Sequence, residues 1–116
     1  MPGLRDLFGR RGRPAERAQA VARRPDPDQH VVRIADAPDR ARVTLRGTVR
    51  ALAVRPRSHG RWLEAVLADD SGTVTLIWMG RDAVLGVEEG REMRVNGRLS
   101  ISGGQRRLYN PLYTLL

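Results

Sequence analysis

The stretch Val43-Thr44-Leu45-Arg46-Gly47-Thr48-Val49-Arg50-Ala51 decides how this chain is read. Val43, Leu45, Gly47, Val49 and Ala51 take every second position, and Thr44, Arg46, Thr48 and Arg50 fill the gaps. Side chains of a strand alternate between two faces. Such a run is therefore a half-buried antiparallel strand, apolar toward a core and polar toward water. Gly47 falls on the core side in mid-strand, where a missing side chain marks a bend at which a barrel closes.

The same alternation recurs downstream. Strands are expected over 43–54, 61–69, 73–79, 92–101 and 106–115. Leu63, Ala65 and Leu67 face inward in the second, with Trp62, Glu64 and Val66 outward. Val74, Leu76 and Trp78 face inward in the third, with Ile77 and Met79 outward. Met93, Val95, Gly97, Leu99 and Ile101 face inward in the fourth. Asp69-Asp70-Ser71-Gly72 reads as a tight hairpin, with Gly72 available for a left-handed turn. Residues 81–85 have the length of one helical turn, which Gly86 would end. A long strand bent at glycine, a hairpin, a short helix after strand three and two more strands give an all-β fold. It is a five-stranded antiparallel barrel in OB-fold order. Residues 30–40 lead into it, as a short edge strand or as a cover for one end of the barrel.

The chain has 116 residues, 41% of them hydrophobic, which suits one small domain. No apolar run is long enough to span a bilayer, and the first residues lack the apolar stretch of a secretory signal. With no cysteine, disulfides and thiolate metal sites are excluded. A cytoplasmic location, possession of no cofactor and no membrane partner are the expectations. The formal net charge is +8, supplied wholly by Arg. A GC-rich genome favours Arg over Lys, so placement informs more than number. Residues 1–29, rich in Gly, Pro and charge, read as a flexible basic arm with a helix conceivable over 14–24. Residues 30–116 form the barrel domain.

Several stretches are similar to the OB-fold nucleic-acid-binding family. Val43-Thr44-Leu45-Arg46-Gly47-Thr48-Val49 resembles its opening strand. Asp69-Asp70-Ser71-Gly72-Thr73-Val74-Thr75-Leu76 resembles its hairpin. Glu89-Gly90 before Val95-Asn96-Gly97-Arg98 resembles its fourth strand. Leu108-Tyr109-Asn110-Pro111-Leu112-Tyr113 resembles the last strand of the OB wedge domain in the bacterial helicase that remodels stalled forks. The whole is similar to short stand-alone OB proteins of high-GC bacteria. The resemblance implies nucleic-acid binding, with DNA ahead of RNA. No motor domain accompanies these residues and no Lys exists for a phosphate-binding loop, so binding without helicase activity is implied.

In OB barrels the strand 2–3 face and the loops joining strands one–two and four–five line the ligand groove. Here those loops and their edges hold Arg55, Arg57, His59, Arg61, Arg106 and Arg107, and the outward side of strand one adds Arg46 and Arg50. Guanidiniums bind phosphate bidentately and stack on bases. Trp62, beside the first loop, and Tyr109, after the last, are the rings placed to stack on bases. Trp78 reads as core and Tyr113 as packing. Catalytic residues are not expected: His30 and His59 have no nucleophile at a readable spacing. Asp69-Asp70 reads as a turn rather than a metal site. Ser102-Gly103-Gly104 precedes no helix and is a poor dinucleotide loop. The expected function is non-enzymatic binding of single-stranded or branched nucleic acid. The alternative is a protein-interaction module docking through outward Val66, Ile77 and Met79.

Overall fold

The computed structural model describes residues 30–58 and 60–116. The arm at 1–29, with its conceivable helix, and His59 lie outside them. Six strands follow a 3-10 turn at Ile34–Asp36: β1 (Arg42–Arg57), β2 (Gly60–Ala68), β3 (Thr73–Met79), β4 (Glu92–Ser102), β5 (Gln105–Tyr109) and β6 (Leu112–Leu115).

The sheet closes on itself. The first half of β1 pairs with β4 (Val43↔Gly97, Leu45↔Val95), and its second half pairs with β2 (Leu52↔Ala65, Val54↔Leu63). Thr48 is held on both edges, by Glu92 and Ala68. The ring continues β2–β3 and β4–β5, and the closing seam β3–β5 is parallel (Leu76↔Leu108). A closed ring with an odd number of strands cannot alternate direction throughout. One parallel neighbour is obligatory, and β3–β5 is where the expected antiparallel barrel departs from that pattern. The interior is filled by Leu45, Val49, Leu67, Leu76, Met93, Val95, Leu99 and Leu108, all 0–1% exposed, with Trp78 at 5%.

Gly47 sits where β1 passes from one partner to the other. A Cβ there would lie 2.5 Å from the Ala68 carbonyl oxygen and 2.9 Å from its carbon. The glycine therefore lets two backbones approach where the barrel closes, as its place in the alternation implies.

Local departures from the expected pattern each have a physical cause. A β-bulge falls between Val49 and Ala51, which pair with consecutive residues Leu67 and Val66. Arg50 is the extra residue, and one extra residue exchanges the two faces of everything after it. Ala51, expected inward, is exposed; Leu52 takes the inward side and packs on the core. The expected last strand is two strands. Asn110 has φ 50, the left-handed region that Asn tolerates, and Pro111 lacks an N–H, so the ladder breaks between Tyr109 and Leu112 before resuming along the same edge of β4. Asn110 repairs the break: its N–H donates to the Ile77 carbonyl (2.6 Å) and its Oδ1 accepts from the Met79 N–H (3.0 Å).

Residues 81–85 form bends and turns, not the expected helix. Among the described residues the helical turn is the one at Ile34–Asp36, ahead of the barrel. The lead-in forms no edge strand; it covers the barrel and touches the sheet at a single bridge. Val31 bridges to Thr44 in parallel, and Ile34 and Ala37 are buried in the core cluster. The 69–72 hairpin forms, but Gly72 does not use left-handed backbone. Asp69 organises it instead. Its Oδ1 accepts from Ser71 N–H (2.7 Å), Ser71 Oγ (2.6 Å) and Gly72 N–H (3.1 Å), and its Oδ2 accepts from the Ile34 N–H (2.9 Å). Burial alone would raise this carboxyl's pKa, but those hydrogen bonds outweigh it and hold the pKa below the ordinary aspartate value. One carboxylate thereby ties the hairpin to the lead-in.

Candidate functional site

Residues directly opposite across a strand pair share a face, so the register lays out the outer surface of β1, β2, β3 and β5 in rows. Arg55, Trp62 and Met79 form one row, and Ala53, Glu64, Ile77 and Tyr109 the next. Ala51, Val66, Thr75 and Arg107 form the third. The turn after β1 bounds this surface on one side, and the Gly103–Gly104 turn lies beyond Arg107 on another.

Its centre is a compact group around one acid. Glu64 Oε1 lies 3.4 Å from Arg55 Nε, and Oε2 lies 3.2 Å from Arg57 Nη2. Arg57 also donates from Nη1 to the Pro56 carbonyl (2.9 Å). With its head so held, the guanidinium carbon stands 4.7 Å from the centroid of the Trp62 ring, a cation–π distance. Tyr109 meets Trp62 edge-to-face, centroids 6.3 Å apart at 84°. Trp62 is half-buried, whereas Tyr109 is 44% exposed. Tyr109 is therefore the more open ring, and one face of Trp62 is already taken by Arg57.

Ile77 forms the floor between Glu64 and Tyr109. It points outward by register yet is 3% exposed, and it does not belong to the core cluster. Trp78 is core, as expected: its Nε1 donates to the Pro111 carbonyl (3.3 Å) and Tyr113 packs against it edge-to-face. The Tyr113 hydroxyl donates to the Leu85 carbonyl (3.0 Å). Burial pushes the pKa of that hydroxyl up, against the opposing charge of Arg81.

The expected site residues thus separate. Arg55, Arg57, Trp62 and Tyr109 come together, and Arg107 joins them one row away, its Nη2 donating to Gln105 Oε1 (2.6 Å). Arg61 lies beyond Leu63 and meets Asp82 at 3.5 Å with both side chains well exposed. Arg50 is exposed on the bulge. Arg46 faces the β1–β4 surface, bound to Glu92 at 2.9 Å. Arg106 shares the inward parity of Leu108 and is half-buried, donating from Nη2 to the Ala35 carbonyl (2.9 Å). Sequence reasoning missed Glu64 as an internal counter-ion. Alternation placed it outward beside Trp62, but only register sets it between two arginines.

Solved structures resemble this fold. RecG, in a structure bound to a three-way DNA junction, superposes with a TM-score of 0.64 at 24% identity over 73% of this chain and 12% of RecG. The replication factor A-related protein of Methanobacterium thermoautotrophicum gives 0.62 at 16% identity, over 79% of this chain and 96% of that one. The second OB-fold domain of replication protein A from Methanococcus maripaludis gives 0.58 at 16%, covering 75% and 95%. These likenesses establish an OB barrel. No protein-family model matches the sequence, and no curated protein matches it as a relative.

Proposed function

We propose that this chain binds nucleic acid without catalysis, single-stranded DNA first, on the outer face of β1, β2, β3 and β5. The observation that carries the reading is the Arg57–Trp62–Tyr109 group, which sets a cation and two rings side by side on the face OB barrels use for oligonucleotides. The likeness to RecG, seen with a DNA junction, and to replication protein A supports it.

Phosphates are held by Arg55, Arg57 and Arg107, and a base stacks on the open ring of Tyr109, with Trp62 bracing that ring. Stacking tolerates any base, so sequence preference is weak. Among the described residues no helix is long and apolar enough to cross a membrane, and a cytoplasmic site of action is part of the proposal. The arm at 1–29, net +3 by seven Arg against four acids, adds sequence-independent phosphate contacts. The protein-docking alternative has less to draw on: of its three apolar residues, Ile77 is buried and Val66 half-buried.

The test is binding measured in parallel to single-stranded DNA, duplex DNA and RNA, for wild type, Tyr109→Ala and Trp62→Ala. Loss of about 1–3 kcal/mol is expected for Tyr109→Ala. A smaller loss, with Arg57 disordered, is expected for Trp62→Ala. Equal binding by all three proteins would place the ligand elsewhere.

A further inference from the structure

A second cluster of arginines lies round the barrel, and among the described residues two of its three members, Arg42 and Arg98, have no acidic partner. Arg42 of β1 and Arg98 of β4 are directly opposite, as are Arg46 and Arg94. Like charges in that position are destabilising. The Arg46 pair is relieved by Glu92 at 2.9 Å. The Arg42 pair has no such relief. Arg42 donates from Nη1 to the Asn96 amide oxygen (3.1 Å), a neutral partner. Arg98 forms no ion pair among the described residues. Arg40, held left-handed at φ 66, stands beside them. Its one acid, Asp39, is 3.9 Å away, and the Arg40 side chain is 82% exposed.

Arg40, Arg42 and Arg98 line a groove of about 840 Å³ that runs along β4 to the β5–β6 junction and is bounded there by Tyr109 and Leu112. Its floor is preorganised. Asn96 is 5% exposed, and its Nδ2 donates to Thr44 Oγ1 (2.9 Å) and the Val43 carbonyl (3.2 Å), which turns its oxygen toward Arg42. The contrast with the first face is direct. Arg55 and Arg57 share Glu64, whereas among the described residues Arg42 and Arg98 have no carboxylate partner and Arg40 meets only Asp39, at 3.9 Å.

We propose that this groove is a second phosphate-binding subsite, filled by the backbone of a strand that has crossed Tyr109. Tyr109 borders both surfaces and is the point where the strand passes from one to the other. The inference rests on the nucleic-acid reading of the first face and extends its footprint around the barrel.

The experiment compares a dT oligomer of about 6 nucleotides with one of about 15, a span within the site sizes of single OB folds. Proteins are wild type, Arg40→Gln/Arg98→Gln, and Arg98→Glu, with Arg81→Glu as a control of equal charge change outside the groove. Wild type should gain affinity from the short to the long oligomer. The double variant should lose that gain, and its salt slope on the long oligomer should flatten by about 0.7 for each phosphate released. Arg98→Glu should weaken long-oligomer binding while raising the melting temperature, because it turns a repulsive cross-strand pair into an attractive one. An unchanged length dependence in both groove variants overturns the subsite. So does an equal loss on both oligomers, or a loss matched by Arg81→Glu. Failure of the first face shows differently, as short-oligomer binding indifferent to Tyr109→Ala.

Discussion

Glu64 is the counter-ion of the first face, and removing its charge tests that role. Its side chain is 21% exposed, while those of Arg55 and Arg57 are 55% and 40% exposed, so a phosphate bound as proposed would meet the guanidiniums with the carboxylate behind them. A phosphate on the far side of a guanidinium sits roughly 7 Å from that carboxylate. At an effective dielectric of about 20 the repulsion is ~2.4 kcal/mol, and a Debye length of about 8 Å leaves ~1 kcal/mol. Glu64→Gln keeps the shape and one acceptor oxygen but not the charge. Affinity for single-stranded DNA should rise about fivefold, and freeing two guanidiniums should steepen the log–log salt slope by up to about 1.4. Fluorescence anisotropy of a labelled dT oligomer across a salt series reads both quantities. A thermal melt runs alongside. Half-exposed ion pairs contribute about 0–1 kcal/mol, so the melting temperature should fall by no more than about 5 °C. Unchanged or weaker binding at an unchanged slope, in a folded variant, refutes the argument, because Glu64 would then not compete with the ligand.

Other outcomes follow from the barrel itself. Gly47→Ala forces the Ala68 carbonyl away from a new methyl and should cost about 1–3 kcal/mol, seen as a melting temperature lowered by about 5–15 °C; a normal melt would mean the two backbones part freely. Asn110→Ala removes the acceptor for the Met79 N–H and leaves an unfavoured φ, so a loss of about 1–3 kcal/mol in urea unfolding is expected. The Asp69 carboxyl is held below its ordinary pKa by its hydrogen bonds, so its contribution is complete above the unfolded value of about 3.9 and is lost as pH falls through the lower folded value. Asp69→Asn should therefore flatten the acid limb of the stability profile, and an unaltered limb would assign acid sensitivity to another group.

How much of this was legible in advance depended on whether a feature is local. Alternation at Val43 to Val49, Leu63 to Leu67 and Val74 to Trp78 is a property of consecutive residues, and it placed these strands, their inward faces and the buried Trp78. The glycine at position 47 pointed to a bend at which the barrel closes, and the structure adds that a side chain there would meet the Ala68 carbonyl. The same logic failed at Arg50 and at residues 81–85. A bulge leaves no mark in composition, and one turn of helix has too few hydrogen bonds to outweigh tertiary constraints.

The chain's local chemistry settles that residues 42–115 make short alternating strands around an apolar interior, because burial of every second side chain needs no knowledge of partners. Which charges meet is a different matter. Glu64 between Arg55 and Arg57, Arg42 opposite Arg98, and Arg106 turned toward Ala35 are set by strand register, by the parity change at the bulge and by closure of the ring. Those are relations between residues as far as 71 positions apart. Tertiary structure alone decided which arginines are neutralised and which are left facing a groove, since the reach of a guanidinium depends on what lies across the sheet rather than along the chain.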